Sequence, residues 1–423
     1  MRTLLAGAPA RGTIARGLGR CYGDAAQNAG GAVIATRGLR ERLEVDAENG
    51  LATVDAGVSI GELAACSVPR GWFPPIVPGT RFVTIGGALA ADIHGKNHHV
   101  DGSFARHLVS FDIVTADGER RTIAPDTEPE LFAATAGGMG LTGVVVSAVV
   151  RLRRVETTRI TADTERVDDL DELLARLEAD DDRYRYSVAW VDCLARGAQL
   201  GRGLLARGND ASADELPADL RTRPLELDQR SQLAAPRWVP AGLIRTETMR
   251  VFNELWFRRA PRRETASLET VESFFWPLDR IRGWNRLYGR DGLLQYQFVV
   301  PFGEEEVLRL ALERFAIEGC ASLGVLKRFG PGRGLLSFPI EGWTLAVDAP
   351  AGAPALAPLL DELDEAVAGA GGRVYLAKDS RMRPELLPVM YPELDRWREI
   401  QAKVDPDGAL RSDLARRLDL LAR

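Results

Sequence analysis

The sequence is poor in histidine and cysteine, with four of each in 423 residues. Cys21, Cys66, Cys193 and Cys320 are widely scattered and form no CxxC pair. Neither a disulfide framework nor a zinc knuckle is expected from them; free thiols in a reducing compartment are. No run of about 18 apolar residues occurs, which excludes a helical membrane span. The start, "MRTLLAGAPARG", lacks the apolar core of a signal peptide. A location inside the cell is the expectation, with attachment to a membrane face or a place in the cell envelope left open. Excess positive charge is missing too. With 54 basic against 60 acidic residues the net charge is −6, so a nucleic-acid partner is not expected. Repeats and low-complexity segments are absent. What remains is ordinary globular composition, 45% apolar and 27% charged, in a chain long enough for two domains.

All four histidines, His94, His98, His99 and His107, fall in "DIHGKNHHVDGSFARH" (92–107), between Asp92 and Asp101. His94 and His98 would share one helical face, as the ligands of a zinc hydrolase do. Gly95, however, stands where such an enzyme carries its glutamate, and Gly95 and Asn97 disfavour a helix. No metal is expected.

The first 155 residues read as short strands broken by glycine. "GAVIAT" (31–36) and "LATVDAG" (51–57) are β-rich runs between turn residues. "SIGELAACSVPRG" reads as a helix capped by Ser59, with Gly71 past its end. Residues 108–123 predict a hairpin turning at Asp117-Gly118, and 140–155 a long apolar strand. Beyond about residue 158 strands and helices alternate: helices over 169–183, 304–319 and 356–372, strands over 185–194 and 293–302, and a strand pair over 336–350. An α+β domain with a mostly antiparallel sheet follows. The stretch 233–264 mixes tryptophan, proline and arginine. It predicts a long loop or mobile cover, suited to an anionic lipid surface or simply exposed.

Three glycine-rich turns carry the chemical signal: "ARGLGRCYGDAAQN" (15–28), "PGTRFVTIGGALAADIHGKN" (78–97) and "ATAGGMGLTG" (134–143). Glycine lets backbone N–H groups approach an anion closely. The first turn is G-x-G-x-x-x-G, which is not the dinucleotide fingerprint. Together the three turns could surround one ligand with a pyrophosphate and a flat ring.

These motifs, with "VDAGVSIGEL", "WNRLYG", "LLQYQFVVP", "SFPIEGW", "VYLAKDSR" and "KVDPDGALRSDLARRL", closely resemble the FAD-linked oxidases of the vanillyl-alcohol-oxidase (PCMH-type) fold. The resemblance covers nearly the whole chain. "DIHGKNHH" together with "AKDSR" is similar to the subgroup acting on a polyprenyl-phosphate ribose. It implies an FAD-binding domain (1–158), an α+β substrate domain (159–372) and a C-terminal return to the FAD domain (373–423). It implies FAD-dependent oxidation of the ribose C2 hydroxyl of decaprenylphosphoryl-β-D-ribose to the 2-keto compound. A separate NADH-dependent keto-reductase would then complete epimerisation to the arabinose donor for cell-wall arabinan. Peripheral membrane association fits that substrate.

By motif match, FAD would be held by Ala15, Arg16, Gly17, Leu18, Gly19, Arg20, Cys21, Tyr22, Gly23, Asp24 and Ala25. Gly79, Thr84, Ile85, Gly86 and Gly87 would form a second contact, and His94, Gly95, Lys96 and Asn97 a third. Val146 and Tyr375 would complete the cradle. Gln295, Gln297, Lys327, Lys378 and Trp190 match positions lining the substrate pocket. Lys378 and His94 are the catalytic candidates. A cation beside the flavin would stabilise its reduced form, although Lys378 could instead only pair with Asp379. Arg20-Cys21 stands where relatives with covalent FAD carry histidine, so the implied flavin is non-covalent. Ala346 replaces a cysteine that nitroaromatic inhibitors capture in the subgroup, so such capture should fail here. Phe275 holds a place often taken by tyrosine. The start is about one strand and most of a helix shorter than the resemblance implies; weakened FAD binding is expected only if that start is the native one. A second reading keeps the fold but assigns a soluble polyol or sugar lactone, as in alditol oxidases. Lys327, Lys378 and 233–264 favour the phosphorylated lipid.

Overall fold

A computed structural model describes residues 7, 9–228, 233–234 and 244–421. The chain opens with a parallel strand pair, β1 (Thr13–Arg16) and β2 (Ala32–Ala35). There follows a five-stranded antiparallel sheet of β3 (Leu43–Asp46), β4 (Leu51–Asp55), β5 (Leu108–Val114), β6 (Arg120–Ile123) and β7 (Val144–Arg151), in the order β3–β4–β7–β5–β6. The local chemistry is what the sequence predicts. Strand β4 buries alternate residues. The β5–β6 hairpin turns where Asp117 accepts from the Thr115 hydroxyl and the Glu119 amide. Helix α1 (Ile60–Ser67) starts at a reciprocal Ser59–Glu62 capping box. Gly71 follows it with a left-handed φ of 78°.

The second sheet holds eight strands, and every pairing in it is antiparallel. Its members are β8 (Arg159–Val167), β9 (Tyr186–Val191), β10 (Gly203–Asp210), β11 (Arg263–Thr270), β12 (Leu293–Val300), β13 (Leu323–Phe329), β14 (Gly342–Pro350) and β15 (Arg373–Val374). The order is β11–β8–β10–β9–β13–β14–β12–β15. Two long helices, Glu305–Glu318 and Leu356–Gly369, accompany it. Tyr296 donates its hydroxyl to Asp364 of the second helix, which places that helix on the face carrying the even-numbered residues of β12. The odd-numbered residues face the other way. After β15 the chain returns to its own beginning. Thr13 N donates to Ala409 O and Arg411 N to Thr13 O, and Arg417 bridges Asp24 and Asp379.

Two expectations need correction. Residues 246–259 form α2 (Thr246–Arg259) and 263–270 form an edge strand, so 233–264 is not a long loop. Met249, Asn253 and Phe257, four apart, make its buried stripe, and Asn253 donates to Asp192. The part of that stretch at 235–243 lies outside the described residues. The strand pair over 336–350 is a single strand, β14. Its first half is irregular because Ser337 bonds Asp92 and Phe338 stacks on Tyr375. His94 lies outside any helix, as Gly95 and Asn97 led one to expect, since the short helix there begins only at His98.

Candidate active site

The first glycine loop is clamped from two sides. A β-carbon at Gly17 would strike the Thr84 hydroxyl, and one at Gly23 would sit on the backbone carbonyl of Asp379. Tyr22 N donates to Ala377 O at 3.0 Å. The loop that should hold a pyrophosphate therefore touches both the second glycine segment and the strip bearing Lys378. Arg20 donates to Phe82 O and lies over its ring. Gly19 has a φ of 62°, Cys21 is half-buried, and Ala15 packs with Val146 against Val144 and Leu410. Thr84 caps the short helix Ile85–Ala90 by accepting from Gly87 N, and Gly86 lies against Ala56. No atom would crowd a β-carbon at Gly79. The third turn serves packing instead: Gly137 N and Met139 N bond Leu89 O and Ala90 O, and Gly138 abuts Trp397.

His94 stands against the large sheet. Its Nε2 lies 3.2 Å from Gln297 Nε2 and its Nδ1 3.2 Å from Lys327 Nζ. The rings of Phe329, Phe338 and Tyr375 surround it. Burial first, then Lys327 and Lys378, hold its pKa well below the ordinary value, so the imidazole is neutral. The hydrogen bonds then assign its tautomer. The Thr344 hydroxyl donates to Phe298 O, so it accepts from Gln297 Nε2. The second N–H of that amide points at His94 Nε2, which must accept, leaving the proton on Nδ1. Lys327 Nζ receives it as a free amine. Burial and the charges of Lys378 and Lys96 push Lys327 well below a normal lysine, in the same direction.

Adjacent strands place a row of residues on one face of the large sheet. Trp190 opposes Val325, Val325 opposes Ala346, and Ala346 opposes Gln297. One step along lie Gln295 and Asp348, hydrogen-bonded to each other. Lys327 is two residues beyond Val325, so it shares the face. Gln295, Gln297, Lys327 and Trp190 thus line one wall, with half-buried Lys378 (pKa about 8) and Lys96 (about 8) near it. Burial lowers both, opposed for Lys378 by Asp348 and for Lys96 by Glu269. Lys96 also donates to Phe274 O and lies over the Phe274 ring. Asp348 was not anticipated. It is two residues after Ala346 in an extended strand, and that spacing alone could have found it. Burial raises its pKa to about 6.

Asp379 does not hold Lys378 as the surface alternative required. Asp379 accepts from the amides of Arg381 and Met382 and pairs with Arg417. Tyr375 donates to Ala91 O and takes Gln297 O on its amide, which ties the strip to the wall. Gly95 is held close to Val77 O, and Asn97 donates to Pro75 O and Asp101. The other histidines turn elsewhere. His98 lies against the Phe329 ring, His99 bonds Tyr184 O, and His107 bonds Asp101 O. Gln297 Oε1 is buried and unpartnered. A buried amide oxygen, three half-buried lysines and two glycine segments suit a large ligand with polar edges and an anionic part, and a flavin dinucleotide fits both.

Comparison with known proteins gives the family. Residues 5–124 match the FAD binding domain family. Decaprenylphosphoryl-beta-D-ribose oxidase of Mycolicibacterium smegmatis is 44% identical over 415 residues, covering 97% of this chain and 90% of that protein. The chain belongs to the decaprenylphosphoryl-β-D-ribose oxidase family. An uncharacterized protein in the mprA 5' region of Streptomyces coelicolor is 47% identical over 374 residues, 86% of this chain and all of that protein. Human Delta(24)-sterol reductase shares 28% identity over 114 residues, only 27% of this chain and 22% of its own. The chain is an FAD-dependent oxidoreductase of the α+β, PCMH-type fold. Among the described residues no helix is long and apolar enough to cross a membrane.

Proposed function

We propose that this chain oxidises the C2 hydroxyl of decaprenylphosphoryl-β-D-ribose to the ketone, on the division 1–158, 159–372 and 373–423. The observation that carries the reading is the wall of Gln295, Gln297, Asp348 and Lys327 facing Lys378, on a chain 44% identical to a named oxidase of that substrate. FAD, when bound, supplies the two-electron acceptor. Ala15–Ala25, Gly79, Thr84–Gly87, His94–Asn97, Val146 and Tyr375 hold it. No imidazole lies in the first glycine loop, and burial pushes the Cys21 thiol up to about 11, so the loop offers no ready nucleophile for a covalent link.

Amide groups of Gln295 and Gln297 suit the sugar hydroxyls, and lysine suits the phosphate. The Lys327 amine, its single lone pair engaged by His94 Nδ1–H, is placed to donate its N–H groups to the sugar hydroxyls. Lys378 serves as the cation. A keto-reductase that consumes the 2-keto product is the implied partner, and the lipid tail implies work at a membrane surface. Ala346 puts a methyl where a thiol would be needed for covalent capture.

If Lys378 works as a cation, kcat/KM falls as pH rises through about 8, because the ammonium is lost there. Lys378→Arg should move that limb upward, since arginine keeps its charge. A profile that rises through about 8 would make Lys378 the base instead. The substrate reading is tested by comparing kcat/KM for a polyprenylphosphoryl ribose and for an alditol. A preference of about a hundredfold or more for the phosphorylated lipid is expected, the size of two or more charge-assisted contacts. Equal or reversed preference would favour the soluble-polyol reading.

A further inference from the structure

Helix α2 is pinned to the protein by its polar contacts and leaves an apolar face in solvent. On the inner side, Asn253 donates to Asp192, Glu254 pairs with Arg202, and the Arg202 guanidinium lies 4.8 Å from the Phe257 ring. At its start the Thr246 hydroxyl donates to Gly319 O at 2.5 Å. On the outer side Val251, Phe252, Leu255 and Trp256 are 61%, 53%, 64% and 48% exposed. Their spacing of one, three and one makes them a single patch on the helix. The Phe252 and Trp256 rings stack, 6.1 Å apart and 10° from parallel. Four large apolar side chains on one turn and a half are more than a soluble surface commonly leaves uncovered.

The surrounding charge selects the occupant. Arg258, Arg259, Arg262 and Arg263 are all exposed around this face, in a protein whose net charge is −6. Of the two acids on the helix, Glu254 is already engaged by Arg202 and Arg258. A second copy seated symmetrically on the patch would bring these arginines against themselves. An anionic bilayer meets both halves of the surface: acyl chains take the apolar residues, and lipid phosphates take the guanidinium groups. The stacked aromatic pair suits the headgroup level. We propose that the outer face of α2 is the site at which this protein docks on an anionic phospholipid surface.

The proposal deepens the lipid-linked substrate reading and rests on it for the choice of a lipid. Substrate-free vesicles keep the two separable. The full-length FAD-loaded protein should co-sediment with phosphatidylglycerol vesicles, weakly with phosphatidylcholine vesicles, and less at high salt. Leu255→Glu with Trp256→Glu should lower the anionic-vesicle partition at least about tenfold. Turnover of detergent-dispersed substrate should stay at the level of the unsubstituted protein. Should the pair fail to fold, Arg259→Glu alone must weaken binding to the anionic vesicles. The proposal is overturned if the protein ignores anionic vesicles, or if these variants bind as well as the original. It is also overturned if sedimentation equilibrium shows a dimer that the same substitutions dissolve, which would assign the face to a second copy. Failure at the vesicle with normal turnover leaves the substrate reading standing.

Discussion

Replacing Lys378 with alanine is expected to lower turnover about 10²–10³-fold while the protein stays yellow, the cost of removing one preorganised charge from a dry site. The reason is position. Lys378 lies on the strip that returns from the large sheet to the first glycine loop, and its charge is opposed by burial and supported by Asp348. Its backbone N–H bonds Tyr375 O, and neither that bond nor the clasp of Asp379 by Arg417 depends on the side chain. The FAD cradle should therefore survive the substitution. Lys378→Met, which keeps the bulk, should behave alike. The checks are steady-state kinetics and the visible flavin spectrum. Activity within about threefold of the original would remove Lys378 from the catalytic residues.

The second large effect lies at Gly23. Alanine there would push a methyl group onto the Asp379 carbonyl, in a segment that cannot yield easily. Asp379 is fixed by the amides of Arg381 and Met382, and Arg417 ties it to Asp24 on the loop itself. Either the loop or the Lys378 strip must move. Overpacking of this kind costs about 1–3 kcal/mol, and such a cost falls on the loop that binds FAD. Gly23→Ala should bind FAD about tenfold to a hundredfold more weakly, measured by titrating the apoprotein and following flavin fluorescence. Gly38→Ala, at an exposed position where nothing crowds a β-carbon, is the control and should bind FAD normally. Unchanged affinity in Gly23→Ala would show that this close approach does not shape the cradle.

Much of the fold was legible because its signals are local. The Ser59–Glu62 cap, the Asp117-Gly118 turn and the alternation in Leu51–Asp55 each depend on neighbours a few residues apart. Helix α2 escaped for a physical reason: its buried stripe runs through Asn253, whose amide is satisfied by Asp192, so the stripe reads as polar. The outer face meanwhile carries the large apolar residues, inverting the usual pattern. Residues 336–341 read as a strand but are held irregular by contacts with Asp92 and Tyr375, hundreds and tens of positions away.

The site was legible only as a set of residue types. Motif resemblance could gather Gln297, Lys327 and Lys378, but not the contact between His94 and Lys327, 233 positions apart. Nor could it show that His94 is neutral, or that its proton sits on Nδ1. The clustered histidines looked like ligands of one ion because the chain has so few. In the fold His99 and His107 turn to backbone carbonyls, while His94 and His98 both pack on the Phe329 ring.

The most direct measurement is anaerobic mixing of the FAD-loaded protein with polyprenylphosphoryl ribose. The account predicts that the visible flavin absorbance bleaches, with one equivalent of 2-keto product formed per flavin. Bleaching by an alditol or sugar lactone, with none by the phosphorylated lipid, would contradict it.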